Sequence, residues 1–166
     1  MPITQYLWDY GGGVIGDSTD HFGNPVTDPG AEEIEESPRE RIDRLAAKVY
    51  SDFPELSHAN IEPVESISQL WGDPDGKYLG GNRIQVVHRD SSDEYLQETI
   101  FHELLHMDEA QTVVGGNVIG YIIHENISQL GRHDPWINQT SRAYASYILT
   151  GRNKPDISQA PWRVDQ

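Results

Sequence analysis

His102-Glu103-Leu104-Leu105-His106 places two imidazoles four residues apart, with a carboxylate directly after the first. On a helix, residues four apart project from one face, their Cβ atoms roughly 6 Å from each other. Two neutral imidazoles so placed can grip one divalent cation, and zinc accepts such nitrogens at about 2.0–2.1 Å. Glu103, one position further round, can reach a water on that cation without ligating it. The cation lowers the water's pKa from 15.7 to about 7, and the carboxylate takes a proton as the water attacks a carbonyl. The chemistry implied is metal-assisted hydrolysis, with Glu103 as general base and one Zn²⁺ per chain. The competing reading is a core helix with two incidental, hydrogen-bonded histidines.

That helix must first exist. Ser91-Ser92-Asp93-Glu94 offers an N-terminal cap, and Leu96, Ile100, Phe101, Leu104 and Leu105 supply an apolar face, so a helix is predicted over about 93–110. An earlier helix is predicted over 38–53. There Ser37-Pro38-Arg39-Glu40 has the form of a capping box, and Ile42, Leu45, Ala46, Val49 and Phe53 recur at helical spacing. Residues 83–88 read as a strand, with a short strand within 62–70 and turns at Asp73–Gly76 and Gly80-Gly81. Two more helices are expected, over 117–130 and 140–150, ended by Gly131 and Gly151. Residues 1–36 read as irregular, and the tail over 152–166 as loose. The fold class expected is α+β: one domain over 1–166, with a small sheet, the motif-bearing helix and about three further helices.

Composition narrows the classes. The 166 residues carry 27 acidic against 12 basic side chains, a formal net charge of −15. Such a balance repels phosphate backbones and anionic membranes, arguing against a nucleic-acid partner. There is no cysteine, so a transition-metal site must be built from His, Asp and Glu. No apolar stretch reaches the length of a membrane span. The first ten residues lack a signal-peptide pattern, which leaves a cytoplasmic location or secretion by another route.

The motif resembles the active helix of the zincin metallopeptidases, and the strand 83–88 ahead of it resembles the edge strand along which that superfamily lays a peptide. The resemblance implies a minimal zincin-like fold and a third protein ligand. Glu109 is excluded from sharing the ion, because seven residues of helix, a rise of roughly 10 Å, separate it from His102. It reads as a surface residue or as an outer support for the site. A metzincin's third histidine would fall at Thr112, which excludes that subgroup. Gly120–Ser128 resembles the glutamate-bearing helix of the gluzincins and implies Glu125 as third ligand. It departs from them at His124, where asparagine is usual, and at Gln129, where aspartate is. His124 and the His133/Asp134 pair stay open as alternatives.

The implied activity is zinc-dependent hydrolysis of peptide bonds in a peptide or protein substrate, as an endopeptidase. Tyr121, His133, Arg142, Tyr144 and Tyr147 lie downstream as candidates to stabilise the oxyanion. Glu125-Asn126 with Arg142 and Tyr144 or Tyr147 also resembles, at stretched spacing, small bacterial effector metallopeptidases. That likeness implies a secreted toxin with an inhibitor or immunity protein as partner. Two alternatives share these residues: a zincin-fold binding or regulatory module that no longer cuts, and a zinc hydrolase acting on a non-peptide or cell-wall amide.

Overall fold

In the computed structural model, the residues described are 35–68, 74–114 and 133–164. All but Glu35 belong to the compact unit Glu36–Gln166. The predicted helix over 117–130 and nearly all of the segment 1–36 lie outside the described residues.

The unit opens with α1, Pro38–Asp52. Its capping box closes as the sequence predicts. The Ser37 side chain accepts from the Glu40 N–H, while the Glu40 carboxylate accepts from the Ser37 N–H at 2.9 Å, so two helix-end donors are satisfied locally. Ile42, Leu45, Ala46 and Val49 form its buried stripe. Three short strands follow: β1 (Asn60–Val64), β2 (Gly76–Gly80) and β3 (Arg83–Val87). The sheet order is β1-β3-β2, with β1 parallel and β2 antiparallel to β3.

The strand expected at the edge is therefore the centre. Ile84 and Val86 are buried at 1% and 0% exposure, and β3 is paired on both sides. The antiparallel edge is β2, a segment whose flanking glycines made it read as turns. Gly80-Gly81 does turn, with φ of 94° and 62°, and Tyr78 between the glycines packs into the core at 8% exposure.

The motif-bearing helix, α2, runs Asp93–Val114, beyond its expected end. Ser92 Oγ accepts from the Tyr95 N–H at its start. Asp93 is held between Arg41 (2.8 Å) and Arg44 (2.9 Å), which ties this start to α1. Leu96, Ile100, Phe101, Leu104 and Leu105 are fully buried, and α2 packs against α1, β2, β3 and the next described helix. That helix, α3, spans Asp134–Thr150 and begins six residues before the expected 140. Pro135 stands in its first turn, where a proline's missing N–H costs nothing. Gly151, at φ 68°, ends α3 as expected.

The tail is not loose. Asp156 caps a 3₁₀ turn (Ile157–Gln159), and α4 (Pro161–Val164) follows. Ile157, Ala160 and Trp162 are 1%, 0% and 3% exposed and join the core cluster. Trp162 Nε1 and the Arg163 guanidinium both donate to Asp108 on α2. The described residues thus make an α+β unit: a three-stranded sheet with helices packed around α2. None of the helices among them is long and apolar enough to cross a membrane.

Candidate functional site

His102, Glu103 and His106 occupy the middle of α2, where the core on one side and α3 on the other fix the backbone. Nε2 of His102 and Nε2 of His106 face each other at 3.2 Å. Two nitrogens bound to one tetrahedral zinc stand about 3.3 Å apart, given zinc–nitrogen distances of about 2.0–2.1 Å. The rings cross at 64° with centroids 4.9 Å apart, so neither stacks over the other's nitrogen.

The tautomer of His102 follows from its neighbours. Ser141 Oγ donates its proton to the Ile137 carbonyl at 2.8 Å, leaving a lone pair for the His102 Nδ1–H at 3.2 Å. With the proton on Nδ1, the lone pair of His102 lies on Nε2, and a ligating histidine is oriented through its other nitrogen in just this way. Burial lowers the pKa of His102, partly offset by the charge of Asp134. Burial, with His102 beside it, lowers that of His106 to about 3. Both rings are accordingly neutral at physiological pH, the form in which imidazole binds a metal.

Glu103 lies between α2 and the edge strand at 7% exposure. Burial pushes its carboxyl up to about 8, and a hydrogen bond from the Tyr78 backbone pulls the other way. The space for it depends on Gly76. A Cβ there would come within 2.8 Å of Glu103 Cγ, 2.9 Å of Oε1 and 2.9 Å of Thr99 Cγ2. Gly76→Ala should therefore displace Glu103 and Thr99 and cost about 1–3 kcal/mol by overpacking, measured as a lower denaturant midpoint. An unchanged midpoint would show that β2 does not press on Glu103.

Glu103 and His102 line a cleft of about 310 Å³, whose other walls include Asp75, Gly76, Tyr95 and Glu98. The Tyr95 hydroxyl donates to Asp75, linking the loop before β2 to α2. These residues and Ser141 escaped the sequence reading. Tyr95 and Glu98 share the stripe of His102 at seven and four residues' spacing, a signal that was there to find. Gly76, Asp75 and Ser141 reach the site only through tertiary packing.

The structure sorts the remaining sequence candidates. Glu109 is 1% exposed and its carboxylate meets His133 Nδ1, so it is no surface residue. His133 is engaged there, tilted over Trp162 at 5.5 Å. Tyr144 and Tyr147 do not face the histidines. The Tyr144 hydroxyl accepts from Gln97 Nε2 at 2.7 Å and donates to Asp52 at 2.8 Å, and the Tyr147 hydroxyl donates to Asp52 at 3.4 Å. Gln97 lies roughly 140–180° around α2 from His102 and His106, at 3.6 residues per turn. Arg142 is exposed, and burial raises the pKa of Glu98 in the cleft wall, with the charge of Arg142 pulling the other way. Tyr121, His124 and Glu125 lie outside the described residues. Among the described residues, no three His, Asp or Glu side chains stand together as a closed ligand set. The approach of the two Nε2 atoms to 3.2 Å nonetheless fits a nitrogen-binding divalent cation with both rings among its ligands. No family model, curated protein or solved structure matches the chain.

Proposed function

We propose that the chain is a zinc-dependent peptidase of zincin type, binding one Zn²⁺ through His102 and His106 and using Glu103 as general base. The observation that carries the reading is the 3.2 Å approach of the His102 and His106 Nε2 atoms, with His102 and Glu103 both lining one cleft. The resemblance supplies Glu125 as third ligand. Zinc at this site would supply Lewis acidity, polarising a peptide carbonyl and acidifying water.

The rest belongs to the chain's own side chains. Glu103 takes a proton from the attacking water and returns it to the leaving amine. Ser141 holds His102 in the ligating tautomer. The edge strand β2 and the Tyr95–Asp75 pair bound the groove that would take the peptide. Arg142, an exposed residue of α3 whose charge acts on Glu98 in the cleft wall, is the remaining described candidate for steadying an oxyanion.

One observation favours the competing reading, a zincin-like binding module. Glu103 is nearly covered and already hydrogen-bonded to β2. The deciding experiment combines zinc analysis of the purified protein with cleavage of a denatured protein, a mixed peptide library and a cell-wall amide. We expect about one zinc per chain and cleavage within peptides, abolished by chelation and restored by Zn²⁺. Bound zinc with no cleavage of any substrate would leave the binding module. Cleavage of the cell-wall amide alone would replace the substrate class.

A further inference from the structure

We propose that the cleft lined by His102 and Glu103 takes a basic residue of the substrate, an arginine or lysine next to the bond cut, with Glu98 and Asp75 as its acceptors. The inference rests on the peptidase reading above and names the substrate class of that same site. Tyr95, Glu98 and His102 share one stripe of α2, and all three line the cleft. Glu98 precedes His102 by four residues, a rise of about 6 Å along the helix. A substrate residue held at His102 must therefore reach about one turn to meet the Glu98 carboxylate. The long flexible stem of lysine or arginine suits that span.

Asp75 is in place before a ligand arrives. Its carbonyl accepts from the Val87 N–H at 2.7 Å, which ties its backbone to the central strand, and its carboxylate accepts from the Tyr95 hydroxyl. Glu98 is partly buried, yet among the described residues no hydrogen bond or ion pair holds its carboxylate. Burial raises its pKa, and the charge of Arg142 offsets that only in part. A part-buried carboxylate without a donor is costly, and a cation carried by the substrate would supply the missing partner. Among the described residues, the cleft wall holds three carboxylates and no lysine or arginine, so no cationic side chain of the wall competes for the place. Its volume of about 310 Å³ lies at the small end of ligand sites, about 300–1,000 Å³, which suits one side chain better than a long segment. The net charge of −15 draws cationic peptides toward the chain as a whole.

The test is a ratio measured within each enzyme. A peptide cut by the wild type is remade with arginine, lysine, glutamine or glutamate at each position flanking the bond, and kcat/KM is compared. We expect one flanking position where arginine or lysine exceeds glutamine by about 10- to 100-fold, the worth of a hydrogen bond to a charged group. That ratio should fall about tenfold in near-isosteric Glu98→Gln and vanish in Glu98→Lys, each with its fold verified by circular dichroism. In the wild type it should shrink as salt is raised. Cleavage without a basic preference, or a preference that survives both substitutions, overturns the proposal and leaves the peptidase reading in place. If nothing is cleaved, binding of arginine-centred and glutamine-centred alanine pentapeptides decides. Tighter binding of the arginine peptide by the wild type, lost in Glu98→Gln, upholds the cleft and removes the peptidase. Equal binding of the two, or none, with no cleavage overturns both.

Discussion

Glu103→Gln is expected to lower peptide hydrolysis by about 10²- to 10⁴-fold, the range a positioned general base contributes, while zinc content stays that of the wild type. The amide keeps the shape of the side chain beneath Gly76 but cannot take a proton from water. Stability should move the other way. In the metal-free protein, burial raises the Glu103 carboxyl from its ordinary 4.5 to about 8. The folded state then binds more protons than the unfolded chain between those pH values, so wild-type stability falls as pH rises through that window. Metal-free Glu103→Gln lacks this slope. It should melt above the wild type at pH 8, and the difference should shrink toward pH 4.5. Loss of activity with loss of zinc would reassign Glu103 to metal binding or folding. Undiminished activity would remove it as the base.

The parts of the fold legible in the sequence are those specified within one helical turn. Ser37, Pro38 and Glu40 mark the start of α1 because cap, proline and reciprocal carboxylate lie within four residues. The apolar spacing of α2 is local in the same sense. Sheet order is not. Glycine-flanked β2 becomes a strand because β3 pairs with it and Tyr78 fills the core, neither of which a local pattern reveals. The start of α3 falls six residues before its expected 140 although Pro135 stands in its first turn, where proline is favoured.

The site divides along the same line. That His102 and His106 face each other from one helix is legible from spacing alone, because positions four apart on a helix determine their own geometry. The argument that Glu109 cannot share an ion with His102 needs only the helix rise. Its burial against His133 needs a contact 24 residues away. Tyr144 and Tyr147 were drawn in by their position after the motif, but position along the chain does not tell which face of α2 a neighbour covers. Their hydroxyls meet Asp52, at the end of α1, on the far face. Ser141 is a small polar residue in an amphipathic helix, and nothing in its own segment marks it as the partner of His102.

The tail supplies the second large effect. Trp162→Ala is expected to destabilise the unit by about 3–5 kcal/mol, as loss of a buried aromatic does. Trp162 is 3% exposed, stands edge-on to Trp136 at 5.1 Å, touches the His133 ring and donates to Asp108 at 2.7 Å. Arg163 then makes a two-pronged contact with the same carboxylate at 2.7 and 2.8 Å, so two consecutive residues clamp α4 onto α2 just beyond His106. Trp162→Phe separates the contributions. It keeps most of the ring volume and loses the indole N–H, and so should cost nearer the about 1.5–3 kcal/mol of a hydrogen bond to a charged acceptor. Because Trp162 also backs the His133 ring, and His133 meets Glu109 three residues past His106, Trp162→Ala should weaken zinc binding as well as folding. Denaturant unfolding and zinc titration measured on the same three proteins decide the matter. If Trp162→Ala unfolds at the wild-type midpoint, the tail is the loose appendage its two prolines suggest, and α2 owes its position to α1, the sheet and α3 alone.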